Sequence, residues 1–127
     1  MIESGLRVLI VDDEEELVSA IRERLELRGF RASGVASGTA ALDHLAQNSC
    51  DVVLLDVKMP GLGGLEVLQR IKQEHPNIAV IMLTGHGSKR DADEGMQLGA
   101  YDYLVKPVRI GVLSQMLRDA AEDRSES

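Results

Sequence analysis

The order of apolar and polar positions divides the chain into alternating strand and helix patterns, five of each. Three apolar runs, Leu6–Val11 (LRVLIV), Val52–Leu55 (VVLL) and Ala79–Leu83 (AVIML), are nearly continuous rather than alternating. Such runs suit strands of a parallel sheet covered on both faces. Phe30–Val35 and Tyr101–Val105 are weaker strand candidates. Between them, Leu17, Val18, Ile21 and Leu25 mark one face of a first helix. Ala41, Leu42 and Leu45 mark a second, with Ser37 placed to cap it. Leu65, Leu68 and Ile71 mark a third. The fourth, near Lys89–Leu98, is poor: Gly95 interrupts it and only Ala92, Met96 and Leu98 are apolar. The fifth carries Val112, Leu113, Met116, Leu117 and Ala120. Gly29 and His75-Pro76 read as helix stops. Regular alternation of this kind predicts an α/β fold, a doubly wound parallel sheet with right-handed crossovers.

The chain has 127 residues, enough for one domain with a substantial core. The polar end, residues 122–127, reads as a tail or the start of a linker, which sets the domain at residues 1–121. No apolar run approaches membrane-spanning length, and the first residues lack a basic-then-apolar leader pattern. The expected location is therefore the cytoplasm, with no membrane contact. Cys50 is the only cysteine and reads as a small packing residue. Net charge is -7, from 14 basic and 21 acidic residues, which argues against direct nucleic-acid binding. Aromatic residues are confined to Phe30, Tyr101 and Tyr103, so stacking platforms are scarce.

In an open α/β sheet, sites form beyond the carboxyl ends of the strands. The first strand pattern ends in Asp12-Asp13, the third in Asp56, the fourth in Thr84 and the fifth in Lys106-Pro107. Three carboxylates, a hydroxyl and an ammonium thus converge on one edge. Crowded carboxylates repel, and a hard divalent cation such as Mg²⁺ relieves that repulsion. A metal and an ammonium together suit phosphoryl transfer to an aspartate, giving an acyl phosphate. The turn at Pro60-Gly61, with Gly63 and Gly64, leaves the approach free of side chains. Taken singly, each residue has a plainer reading. Asp12-Asp13 could start the next helix, whose Glu14-Glu15-Glu16 suits a positive dipole end. Asp56 could open a turn, and Lys106 could be a solvated lysine. It is their conjunction that points to chemistry.

The segments VLIVDDE, VVLLDVKMPGLGGLEVL, VIMLTGHG and GAYDYLVKPV resemble the receiver domain of bacterial two-component response regulators, over roughly Leu6 to Ala121. The resemblance implies a flavodoxin-like sheet of five parallel strands, order 2-1-3-4-5, with five helices. It implies that Asp56 is the phospho-acceptor. Mg²⁺ would be held by Asp13, Asp56 and the backbone carbonyl of Lys58, with Asp12 acting through a metal-bound water. Lys106, joined to Pro107 by a cis bond, would contact a phosphoryl oxygen. Thr84 would move to bind the phosphoryl group, and Tyr103 would turn inward behind it. Lys58 and His86 occupy positions that tune acyl-phosphate lifetime in the family, while His44 and His75 read as surface residues. The implied partner is a sensor histidine kinase or histidine phosphotransfer protein. The implied output face is the fourth helix, fifth strand and fifth helix, pairing with itself or an output domain. The chain would catalyse only its own phosphorylation and slow dephosphorylation, without being an enzyme on free substrates. Three alternatives stand beside this reading. A flavin-binding module of the same fold would need a Ser/Thr/Gly-rich phosphate loop where Asp12 to Glu16 stand. An aspartate-nucleophile phosphatase would need a second acid after Asp56, where Val57-Lys58 follow. The third is an unphosphorylated adaptor.

Overall fold

Strand β3 (Val52–Asp56) is buried along its whole length, as is β4 (Ala79–Thr84) beside it. With β1 (Arg7–Val11) they form the centre of a parallel sheet, flanked by β2 (Arg31–Val35) and β5 (Asp102–Val105) in the order β2-β1-β3-β4-β5. The structure is a computed structural model that describes residues 5–59, 61–85 and 89–126. Helices α1 (Glu15–Glu26), α2 (Gly38–Gln47), α3 (Gly64–Glu74), α4 (Lys89–Gln97) and α5 (Ile110–Glu126) alternate with the strands. This is the flavodoxin-like arrangement.

Successive side chains of a strand point to opposite faces, so a continuous apolar run supplies two cores at once. Leu9, Val11, Val53, Leu55, Val80 and Met82 pack with Ala41, Leu45, Val67, Leu68 and Ile71 of α2 and α3. Val8, Ile10, Val52, Leu54, Ile81 and Leu83 pack with Ile21 and Leu25 of α1 and Leu113 and Leu117 of α5. The edge strands β2 and β5 are half-exposed, which is why their sequence patterns are weak.

The helices follow their patterns with informative departures. The Ser37 hydroxyl caps α2 by accepting from the Ala40 N–H at 3.1 Å. On α3, Val67 is buried and Leu65 only partly so; the expected stripe missed Val67. On α4, Met96 is exposed, whereas Gly95 is buried against Met82 and Leu65. The glycine that reads as an interruption lets the helix approach β4 closely. On α5, Val112 faces solvent, and Ala121 joins Leu113, Leu117 and Ala120 in the core. Helix α5 continues through Glu126, over the polar residues expected to form a tail. Tyr101 Oη donates to Asp123 Oδ2 at 2.8 Å, fastening that part of α5 to the start of β5. Cys50 is half-buried, its Sγ 3.3 Å from the Val52 carbonyl, and burial pushes its thiol up to about 11.

At the amino ends of the strands, Asp51 accepts from the Arg7 N–H at 2.8 Å and from its guanidinium at 3.1 Å on both oxygens. That clamp ties β1 to the entry of β3. Between Asp51 and Asp56 the chain crosses the whole sheet and emerges at the opposite edge.

Candidate functional site

Four strands deliver polar groups to that carboxyl edge. The parallel register aligns Val11 with Leu55, Asp56 with Leu83, and Thr84 with Val105, so each strand stops within a residue or two of its neighbour. Backbone bonds extend the alignment beyond the strands. The Asp12 N–H donates to the Val35 carbonyl at 3.2 Å, Val57 to Leu83 at 3.2 Å, and Lys106 to Thr84 at 2.8 Å. The Lys106-Pro107 bond is cis.

Asp12 and Asp56 are buried and Asp13 is exposed, and one carboxylate oxygen from each lies within 4.8 Å of the others. Two turns fix the buried pair: Asp12 Oδ1 accepts from the Glu14 N–H at 2.9 Å, and Asp56 Oδ1 from the Lys58 N–H at 3.2 Å. Lys106 Nζ stands over the group, 3.2 Å from Asp12 Oδ2, 3.8 Å from Asp56 Oδ2 and 3.0 Å from Glu14 Oε1.

The electrostatics follow from this crowding. Burial pushes the Asp56 carboxyl up to about 6; Asp12 and Asp13 add to the rise, against the Lys58 N–H and Lys106. For Lys106, burial pulls downward, but Glu14, Asp12 and Asp56 outweigh it and hold the ammonium above its ordinary value. Asp12 Oδ2 is buried without a hydrogen bond, despite the nearby ammonium. An acidic oxygen left in that state, beside two more carboxylates, is the donor set a hard cation prefers. The residues therefore fit Mg²⁺.

Thr84 is buried at the end of β4, and its hydroxyl donates to the Leu104 carbonyl at 3.4 Å, a long bond. Tyr103 lies one strand further, exposed on the same side of β5 as Val105. Lys58 is exposed, and it meets the cluster through its backbone N–H, which donates to Asp56 Oδ1. His86 and Pro60 lie outside the described residues. Gly64 serves packing: a Cβ there would run into the backbone of Asp56 and Val57. Sequence reasoning missed Glu14 as a partner of Lys106. It sits in a DDEEE run that reads as the charged start of a helix, and only its place next to Asp13 hinted at more.

The site is thus two buried aspartates, an exposed one and a lysine gathered at the carboxyl edge of a doubly wound parallel sheet. The chain belongs to the response regulator receiver domain family, whose model matches residues 8–118. It is 38% identical over 117 residues to the transcriptional regulatory protein DctD of Rhizobium meliloti, covering 92% of this chain and 25% of that protein. It is 46% identical over 101 residues to the transcriptional regulatory protein CpxR of Escherichia coli, covering 80% of this chain and 43% of that one. A response regulator receiver domain protein from Clostridium thermocellum superposes with a TM-score of 0.89 at 38% identity, over 94% of this chain and 96% of that one. The chain spans between a quarter and a half of the length of the curated relatives it matches. Membership decides between the receiver and the flavin module in favour of the receiver, and the sheet order is the one the resemblance implies.

Proposed function

We propose that this receiver domain accepts a phosphoryl group on Asp56 from a histidine-phosphorylated protein, a sensor histidine kinase or a phosphotransfer protein, in the cytoplasm. The observation that carries the reading is the position of Asp56: buried at a strand end, turned by its own backbone, and faced by an ammonium and two carboxylates. In the reaction a carboxylate oxygen of Asp56 attacks phosphorus, the P–N bond of the donor breaks, and the imidazole nitrogen takes up a proton. A carboxyl pushed up to about 6 is mostly ionised at neutral pH, so the nucleophile is available.

Asp12, Asp13 and Asp56, with the Lys58 backbone carbonyl, would hold Mg²⁺, which supplies positive charge to the phosphoryl oxygens. Lys106 is the chain's own cation for the same purpose. Thr84 exchanges its long bond to the Leu104 carbonyl for a phosphoryl oxygen, a bond that costs little to give up. Tyr103 then turns toward the space behind Thr84. The affected helix is α4, in which only Ala92 and Gly95 are buried, so it can repack at small cost. Among the described residues, Met96, Tyr103, Val105 and Val112 are exposed large apolar side chains on α4, β5 and α5, with Leu27 elsewhere. That face would pair with a second copy or an output domain. The chain would turn over no free substrate, and its net charge of -7 makes it a poor nucleic-acid ligand by itself.

Intact-protein mass spectrometry after incubation with acetyl phosphate tests the reading. Wild type should gain one phosphoryl mass only with Mg²⁺, and Asp56→Asn should gain none. An unmodified wild type, under conditions where another receiver reacts, would favour the unphosphorylated adaptor.

A further inference from the structure

Lys106 faces three carboxylates, and the one it holds best is not the proposed acceptor. Its Nζ is 3.0 Å from Glu14 Oε1, in a hydrogen bond, and 3.2 Å from Asp12 Oδ2, but 3.8 Å from Asp56 Oδ2, beyond hydrogen-bond reach. Glu14 is well placed for this hold. Its N–H donates to Asp12 Oδ1 at 2.9 Å, and its carbonyl accepts the Val18 N–H of α1 at 3.1 Å. The root of the side chain is therefore fixed on both sides, while the carboxylate reaches back over the site from the solvent side. The Glu14 side chain is 63% exposed and the Lys106 side chain 25%. An ion pair so open to water is weak enough to break on each cycle.

We propose that Glu14 is a positioning residue that draws the Lys106 ammonium away from Asp56 in the unphosphorylated state, and so slows phosphoryl capture. The inference rests on the reading of Asp56 as acceptor. An arriving phosphoryl group must win Lys106 from Glu14 before the ammonium can neutralise its oxygens. Glu14 takes no part in bond making. Beside the Asp12 contact, it sets how readily Lys106 turns toward Asp56.

The test is the rate constant for phosphorylation by phosphoramidate, at saturating Mg²⁺, in wild type, Glu14→Gln and Glu14→Asp. Glutamine removes the charge. Aspartate keeps the charge but is one methylene too short for the contact. Both variants should react about two- to fivefold faster than wild type, the range an exposed ion pair commands. The gain should shrink at high salt, which a packing effect would not do. Thermal melts should leave both variants as stable as wild type, since the side chain is exposed. Equal or slower rates in Glu14→Gln would overturn the proposal. So would a gain in Glu14→Gln that Glu14→Asp lacks, because the cause would then be net charge rather than the hold on Lys106. A wild type that takes up no phosphoryl group at all would instead overturn the acceptor reading, and this inference with it.

Discussion

Asp56 is a carboxylate whose fold works against its charge. Its carboxyl is pushed up to about 6 from the ordinary 3.8 of an aspartate, chiefly because it is buried and secondarily because Asp12 and Asp13 repel it. Between these two values the folded state binds the proton more tightly than the unfolded chain. The contribution of this group to stability is therefore best at low pH, declines as pH rises toward 6, and stays unfavourable above it. Removing the charge should help. In buffer with chelator, Asp56→Asn should melt several degrees above wild type at pH 7.5, the scale on which ~1 kcal/mol moves a domain of this size. The gap should narrow toward pH 4 and should also close when Mg²⁺ is added to the wild type. Denaturant midpoints across that pH range check it, and a gap independent of pH would show that burial and repulsion are not its source. The residue proposed to accept the phosphoryl group is thus one the scaffold would be more stable without.

At the scale of elements, α3 shows how tightly the site is built into the fold. Gly64 opens the helix, and a Cβ at that position would meet the Val57 backbone and the Asp56 carbonyl, which have nowhere to go. Gly63, one residue earlier, has nothing within 4 Å of its would-be Cβ. Alanine favours helices, so propensity alone predicts a gain at Gly64. The packing predicts the reverse: Gly64→Ala should cost ~1–3 kcal/mol in urea unfolding, as overpacked sites do, while Gly63→Ala should be close to neutral. Similar costs at the two positions would contradict the close approach. This is also the scale at which the sequence was most and least readable. Strands β1, β3 and β4 were plain because both faces of each are buried, which leaves a run of apolar residues with no polar break. Spacing along α3 could not place Val67, since Leu65 and Val67 are both apolar and only the packing against the sheet decides between them. Val112 belongs to the apolar stripe read along α5 for the same reason, yet faces solvent. Gly95 read as a flaw because a sequence carries no record of how near Met82 comes. The acidic residues and Lys106 were legible as strand-end groups. Glu14 was not, because a carboxylate at the amino end of a helix already has an adequate explanation in the helix dipole.

Across the whole molecule, the two ends of the sheet are built for different ends. At the amino edge, Arg7 and Asp51 neutralise each other through paired hydrogen bonds, a closed arrangement that joins two strands. At the carboxyl edge, one ammonium is shared among Asp12, Glu14 and Asp56, and charge is left over. An excess of negative charge held by central strands is what a bound cation would relieve. Its nearest neighbours, Thr84 and β5, lead to the exposed apolar side chains on α4, β5 and α5. The central claim is that among the chain's 21 aspartates and glutamates only Asp56 takes the phosphoryl group. Reductive trapping tests this most directly: the protein is treated with acetyl phosphate and Mg²⁺, then with borohydride, which converts an acyl phosphate of aspartate to homoserine. Peptide mass mapping should find homoserine at position 56 and nowhere else. Homoserine at position 12 or 13, or an unaltered Asp56 in protein that has gained the phosphoryl mass, would contradict the account.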